Sequence, residues 1–107
     1  MSRVKKIADK AGFDAELKAA GNKLVVVDFS AEWCGPCKMI GPKFKEMSET
    51  FQNVVFLNID VDENSETAQS CGVKSMPTFQ FYKNGTKIDE FSGASEAKLR
   101  ETLKKLM

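Results

Sequence analysis

The chain reads as an α/β protein, a mixed β-sheet with helices on both faces. Three observations predict this. Residues 24–30 and 54–60 are nearly unbroken apolar runs, the pattern of strands buried on both sides. Between them Ile40, Phe44, Met47 and Phe51 recur at helical spacing, so the two strands belong to a right-handed βαβ unit and run parallel. Farther on, Asn84-Gly85 separates two strand-like segments and is the chemistry of a tight hairpin, which adds an antiparallel pair.

Taken in order, residues 4–7 make a short, weak strand suited to a sheet edge. Residues 11–20 read as a helix through Phe13, Leu17 and Ala20, stopped by Gly21-Asn22. Residues 24–30 are the central strand. The long helix follows to about Phe51, with Pro42 inside it, where it should kink the helix. Residues 54–60 are the next strand. Asp62-Glu63-Asn64-Ser65 is turn and cap chemistry opening a short helix to about Cys71, which Gly72 ends. Residues 78–83 are a strand with Phe79 and Phe81 on one face. Residues 87–92 return antiparallel; Ile88 and Phe91 are three apart, which breaks a period of two and predicts a bulge. Ser95 caps a last helix with Leu99, Leu103 and Leu106 as its buried stripe. The order is β-α-β-α-β-α-β-β-α, with no repeat or linker.

The 107 residues support a single domain, 1–107, with 42% hydrophobic residues and eight Phe for its core. Sixteen basic and fifteen acidic residues nearly cancel, so nothing points to nucleic acid or an anionic membrane. The N-terminus lacks the apolar run of a signal peptide, and no stretch approaches a membrane-spanning length. Three cysteines, an odd number, argue against a secreted disulfide scaffold and for a reducing, cytoplasmic setting.

The stretch Ala31-Glu32-Trp33-Cys34-Gly35-Pro36-Cys37-Lys38 stands where the central strand ends and the long helix begins. Two thiols at this spacing can close a small disulfide ring and reopen it. A helix N-terminus offers unpaired N–H groups and the positive end of the dipole, which favour the thiolate of Cys34, the reactive form. Pro36 suits a first helical turn, and Gly35 has no side chain to block a partner. A structural zinc needs four Cys or His ligands; with no His and only Cys71 left over, a redox pair fits and a zinc knuckle does not.

Other residues leave alternatives open. Asp28 lies inside Val25-Val26-Val27-Asp28-Phe29, where burial disfavours its charge. It is either a carboxylate satisfied by hydrogen bonds near the sheet end, or a proton acceptor that helps deprotonate Cys37. Trp33 is either core or part of a contact surface shielding Cys34; its indole N–H wants an acceptor, with Asp60 or Asp62 in place at the end of the neighbouring strand. Lys23 and Lys38 read as surface charges. Cys71 is a small helix residue or a regulatory thiol. Met76-Pro77 precedes a strand, and X-Pro bonds are mostly trans.

Trp33-Cys34-Gly35-Pro36-Cys37-Lys38 after a Val-Val-Val-Asp-Phe strand, together with Met76-Pro77-Thr78-Phe79, Asn84-Gly85 and Gly93-Ala94, resembles the thioredoxin family in its animal cytosolic form, over nearly the whole chain. The resemblance implies the thioredoxin fold: a five-stranded mixed sheet of order 1-3-2-4-5 flanked by four helices. It implies a general protein-disulfide reductase in which Cys34 attacks a target disulfide and Cys37 resolves the mixed disulfide. It also implies a buried, functional Asp28, and a cis bond at Met76-Pro77 packed against the disulfide. Trp33, Gly35, Pro36, Met76, Pro77, Gly93 and Ala94 would form the target-contact surface. No bound cofactor and no metal are implied; electrons would come from NADPH through thioredoxin reductase. Targets would include peroxiredoxins and ribonucleotide reductase. Some animal members carry a further cysteine where this chain has Ser75, so dimerisation through that position is not expected and a monomer is.

Two competing functions share these residues. Isomerases of this fold usually place Gly-His between the cysteines; Gly-Pro here favours a reductant. A redox-gated binding module would hold partners without turning over, and a disulfide-reduction assay separates it from a reductase.

Overall fold

The computed structural model describes all of residues 1–107. Its elements are β1 (Lys5–Lys6), α1 (Lys10–Ala20), β2 (Val25–Ser30), α2 (Gly35–Thr50), β3 (Val55–Asp60), α3 (Ser65–Ser70), β4 (Thr78–Lys83), β5 (Thr86–Ser92) and α4 (Glu96–Leu106). The five strands form one sheet in the order β1-β3-β2-β4-β5. β1, β2 and β3 run parallel, while β4 is antiparallel to both β2 and β5. The order of elements and the implied sheet order are both found, with boundaries moved by a residue or so.

Alternation along β2 sorts the core into two layers. Val25, Val27 and Phe29 pack with Phe13, Leu57, Ile59 and Ala68, under α1 and α3. Val26 points the other way and packs with Ile40, Phe44, Met47, Leu99 and Leu103, under α2 and α4. Phe44 anchors this second layer, its ring centroid 5.1 Å from Phe56 and 5.7 Å from Phe79. Truncating such a buried Phe typically costs about 3–5 kcal/mol. By the same alternation Asp28 points toward α2, which decides what it can reach.

Local chemistry sets the ends. Asp9 caps α1, its Oδ1 accepting the Gly12 N–H at 2.7 Å, so this helix starts one residue earlier than its apolar spacing suggests. Asn64 caps α3 and Ser95 caps α4. Asn84 (φ 53°) and Gly85 (φ 76°) both adopt the left-handed conformation that a two-residue hairpin turn requires. The expected bulge is present: Phe81 pairs with Asp89 but Tyr82 with Lys87, leaving Ile88 extra. That restores Phe91 to the core and leaves Ile88 exposed.

Candidate active site

The site forms where β2 hands over to α2. Cys34 is the N-cap of α2, with Gly35 and Pro36 as the first helical residues. Pro36 lacks an N–H at a point where no helical carbonyl could accept one. Cys34 and Cys37 are joined as a disulfide, with Cα atoms 5.3 Å apart. The Sγ of Cys34 accepts the Cys37 backbone N–H at 3.2 Å, the contact a Cys34 thiolate would also receive. Both cysteines are buried in this form, in a small cluster with Ala31 that Val61 and Met76 flank.

The rim around the disulfide is exposed: Trp33, Gly35, Pro36, Gly93 and Ala94 face solvent. Trp33 is the one large exposed side chain here, and its indole Nε1 donates to Asp62 Oδ2 at 2.9 Å. Of the two acceptors expected for it, Asp62 takes the bond, while Asp60 Oδ1 accepts the backbone N–H groups of Asp62 and Glu63. Met76-Pro77 is cis, as the resemblance implies, and Met76 packs against the disulfide cluster. The Gly93 N–H donates to the Pro77 carbonyl at 2.9 Å, tying the Gly93-Ala94 turn to that loop. Gly93 sits at φ 107°, a conformation that residues with a Cβ rarely adopt.

Asp28 is buried, at 4% exposure, and lines an open cleft of about 390 Å³ that Cys37 also lines. Cys34 does not line it. Burial pushes the Asp28 carboxyl up to about 7, against a smaller opposing pull from the Asn58 amide. Its Oδ1 has no hydrogen-bond partner. Lys38 lies on the cleft wall and Lys23 does not; neither bonds to the carboxyl.

Glu32, Asp60 and Glu63 bring carboxylate oxygens within 4.8 Å of one another. Two of the three are already engaged, since Lys6 Nζ lies 2.8 Å from Glu63 and Asp60 takes two backbone N–H groups.

Some of the site is absent from the sequence reading. Asn58 faces Asp28 across the parallel β2–β3 pair, and only strand register could have found it. Away from the site, on the other face of the sheet, a second polar network links Tyr82, whose hydroxyl donates to Gln80 Oε1 at 2.6 Å, to the backbone carbonyl of Cys71 through Gln80 Nε2 at 2.9 Å. The half-buried thiol of Cys71, the one free cysteine, lies 3.6 Å from the same hydroxyl. The signal for this network was a Gln between two strand phenylalanines.

A disulfide at a strand-to-helix junction, open at its rim and backed by a buried carboxyl, defines a protein that exchanges a dithiol for a disulfide. The family model described as Thioredoxin matches residues 3–105. Thioredoxin of Gallus gallus is 62% identical over 104 residues, covering 97% of this chain and 99% of that protein. That of Homo sapiens is 57% identical at the same coverage. Among solved structures, Fasciola hepatica thioredoxin aligns with a TM-score of 0.95 at 42% identity, over 96% of this chain and 99% of that one. Reduced Schistosoma mansoni thioredoxin pre-protein aligns at 0.94 and 43% identity, over 99% and 100%. The chain belongs to the thioredoxin family. It is a dithiol–disulfide oxidoreductase that works through its own cysteine pair, is re-reduced by thioredoxin reductase with electrons from NADPH, and acts on proteins that carry disulfides.

Proposed function

We propose that Cys34 is the attacking thiol, Cys37 the resolving thiol and Asp28 the proton acceptor of a general protein-disulfide reductase. One observation carries the assignment: Cys37 shares a cleft with Asp28 and Cys34 does not. The Cys34 thiolate attacks one sulfur of a target disulfide. That S–S bond breaks, a bond from Cys34 to the target forms, and the other target sulfur leaves as a thiolate. Cys37 then gives its proton to Asp28 and attacks Cys34. The Cys34–Cys37 disulfide forms and the second target sulfur leaves as a thiolate. Both target thiolates take up protons, so the target gains two electrons and two protons, and the chain is left in the disulfide form seen here. Thioredoxin reductase returns two electrons from NADPH.

Trp33, Gly35, Pro36, Met76, Pro77, Gly93 and Ala94 form the target-contact surface in this proposal. Their support is position: five are exposed around the disulfide, and Met76 packs against its cluster just ahead of the cis-bonded Pro77. Disulfide-containing proteins such as peroxiredoxins and ribonucleotide reductase are the proposed targets. The chain works as one domain and as a monomer, which the covering of both core layers by its own helices supports. A reducing cytoplasm suits a protein whose remaining cysteine is free. The test is turnover with thioredoxin reductase, NADPH and insulin. NADPH consumption that needs both cysteines is expected; tight target binding without consumption would make the chain a binding module instead.

A further inference from the structure

Asp28 receives a single side-chain hydrogen bond, from Asn58. The two residues are register partners across β2 and β3. Asn58 Nδ2 donates to Ser30 Oγ at 3.0 Å, to the Asp28 backbone carbonyl at 3.3 Å and to Asp28 Oδ2 at 3.4 Å. The Ser30 contact is the shortest and anchors the amide, while the two contacts to Asp28 sit on either side of its Cα. Oδ2 is thereby held toward β3, and the unpartnered Oδ1 is left as the free oxygen.

We infer that Asn58 is a positioning residue that fixes the orientation of the Asp28 carboxyl, makes Oδ1 the oxygen that binds the proton, and sets the pH at which that proton is released. A neutral N–H donor on Oδ2 favours the ionised carboxyl and works against burial. The charged groups around the cleft come from every element that borders it: Lys6 on β1, Glu32 ahead of α2, Lys38 and Lys45 on α2, and Asp60 on β3. None of them bonds to Asp28. Lys6 is held by Glu63, and Asp60 by the backbone after it. Asn58 is therefore the one side chain that hydrogen-bonds to the carboxyl. The consequence for turnover rests on the reading of Asp28 as proton acceptor; the control of its titration does not.

Two variants test the inference. Asn58→Leu keeps the side-chain size and removes the donor. Asn58→Asp puts a second carboxylate where the donor was, and serves if the Leu variant does not fold. Carbon-13 NMR of aspartate-labelled protein in its disulfide form follows the Asp28 carboxyl through pH. The midpoint is expected to rise by about half to one pH unit in Asn58→Leu, since the bond removed is long, and farther in Asn58→Asp. A midpoint that stays or falls in a folded variant overturns the inference. The proton-acceptor reading is judged separately, by the pH profile of turnover in Asp28→Asn. An unchanged profile would remove Asp28 from the chemistry and leave the NMR result to decide the role of Asn58.

Discussion

Trp33 Nε1 donates to Asp62 Oδ2 at 2.9 Å, joining the residue before Cys34 to the turn that follows β3. Trp33 is 68% exposed, so this bond fixes a flat apolar surface beside the disulfide and adds little to the core. Tyr and Trp on such surfaces commonly anchor partners.

Asp62→Ala should therefore leave stability within about 0.5 kcal/mol, as expected for an exposed polar contact. It should slow reduction of protein disulfides by releasing the indole. Thermal melts and steady-state rates with insulin check both halves. A large loss of stability would mean that the bond holds up the fold.

Gly35 offers a cleaner separation. A Cβ built there meets nothing within 4 Å. Gly35→Leu should fold with nearly unchanged stability, yet reduce folded protein disulfides several-fold more slowly, because the new side chain stands in the approach to Cys34. Reduction of a small aromatic disulfide should suffer less. Equal slowing on both substrates would place the defect in the cysteines and not in target access.

Asp28 links stability to pH. Its carboxyl titrates at about 7 in the folded chain against 3.8 ordinarily, so the folded state holds the proton more tightly than the unfolded state. The penalty is absent below about pH 4, grows as pH rises, and is complete above the folded midpoint. It amounts to a few kcal/mol, on the order of 4 at most. Asp28→Asn should raise the denaturant midpoint at pH 8 and change it little at pH 4, while slowing turnover. A variant no more stable at pH 8 than the parent would show that ionised Asp28 carries no such cost.

Much of the fold was legible because its signals are local. Apolar runs gave β2 and β3, Asn84-Gly85 gave the hairpin, and the Ile88–Phe91 spacing gave the bulge. Strand order is a property of long-range pairing, which periodicity does not encode; it came from the resemblance. In the site, the cysteine pair and the anomaly of Asp28 stand out in the sequence. Asn58 does not, because its role depends on lying opposite Asp28 in parallel register, and a lone Asn in a strand carries no mark of that. The cleft shared by Asp28 and Cys37 is likewise invisible, since it takes the turn of α2 over the end of the sheet to bring them together.

The division of labour between Cys34 and Cys37 is tested most directly by trapping. Cys37→Ser, reduced and mixed with a protein disulfide, should accumulate a mixed disulfide, because attack proceeds and resolution cannot. Peptide mass spectrometry of the adduct should find the target joined to Cys34, and Cys34→Ser should yield no such adduct. A target joined through Cys71, or an adduct that forms equally well in Cys34→Ser, would contradict the assignment.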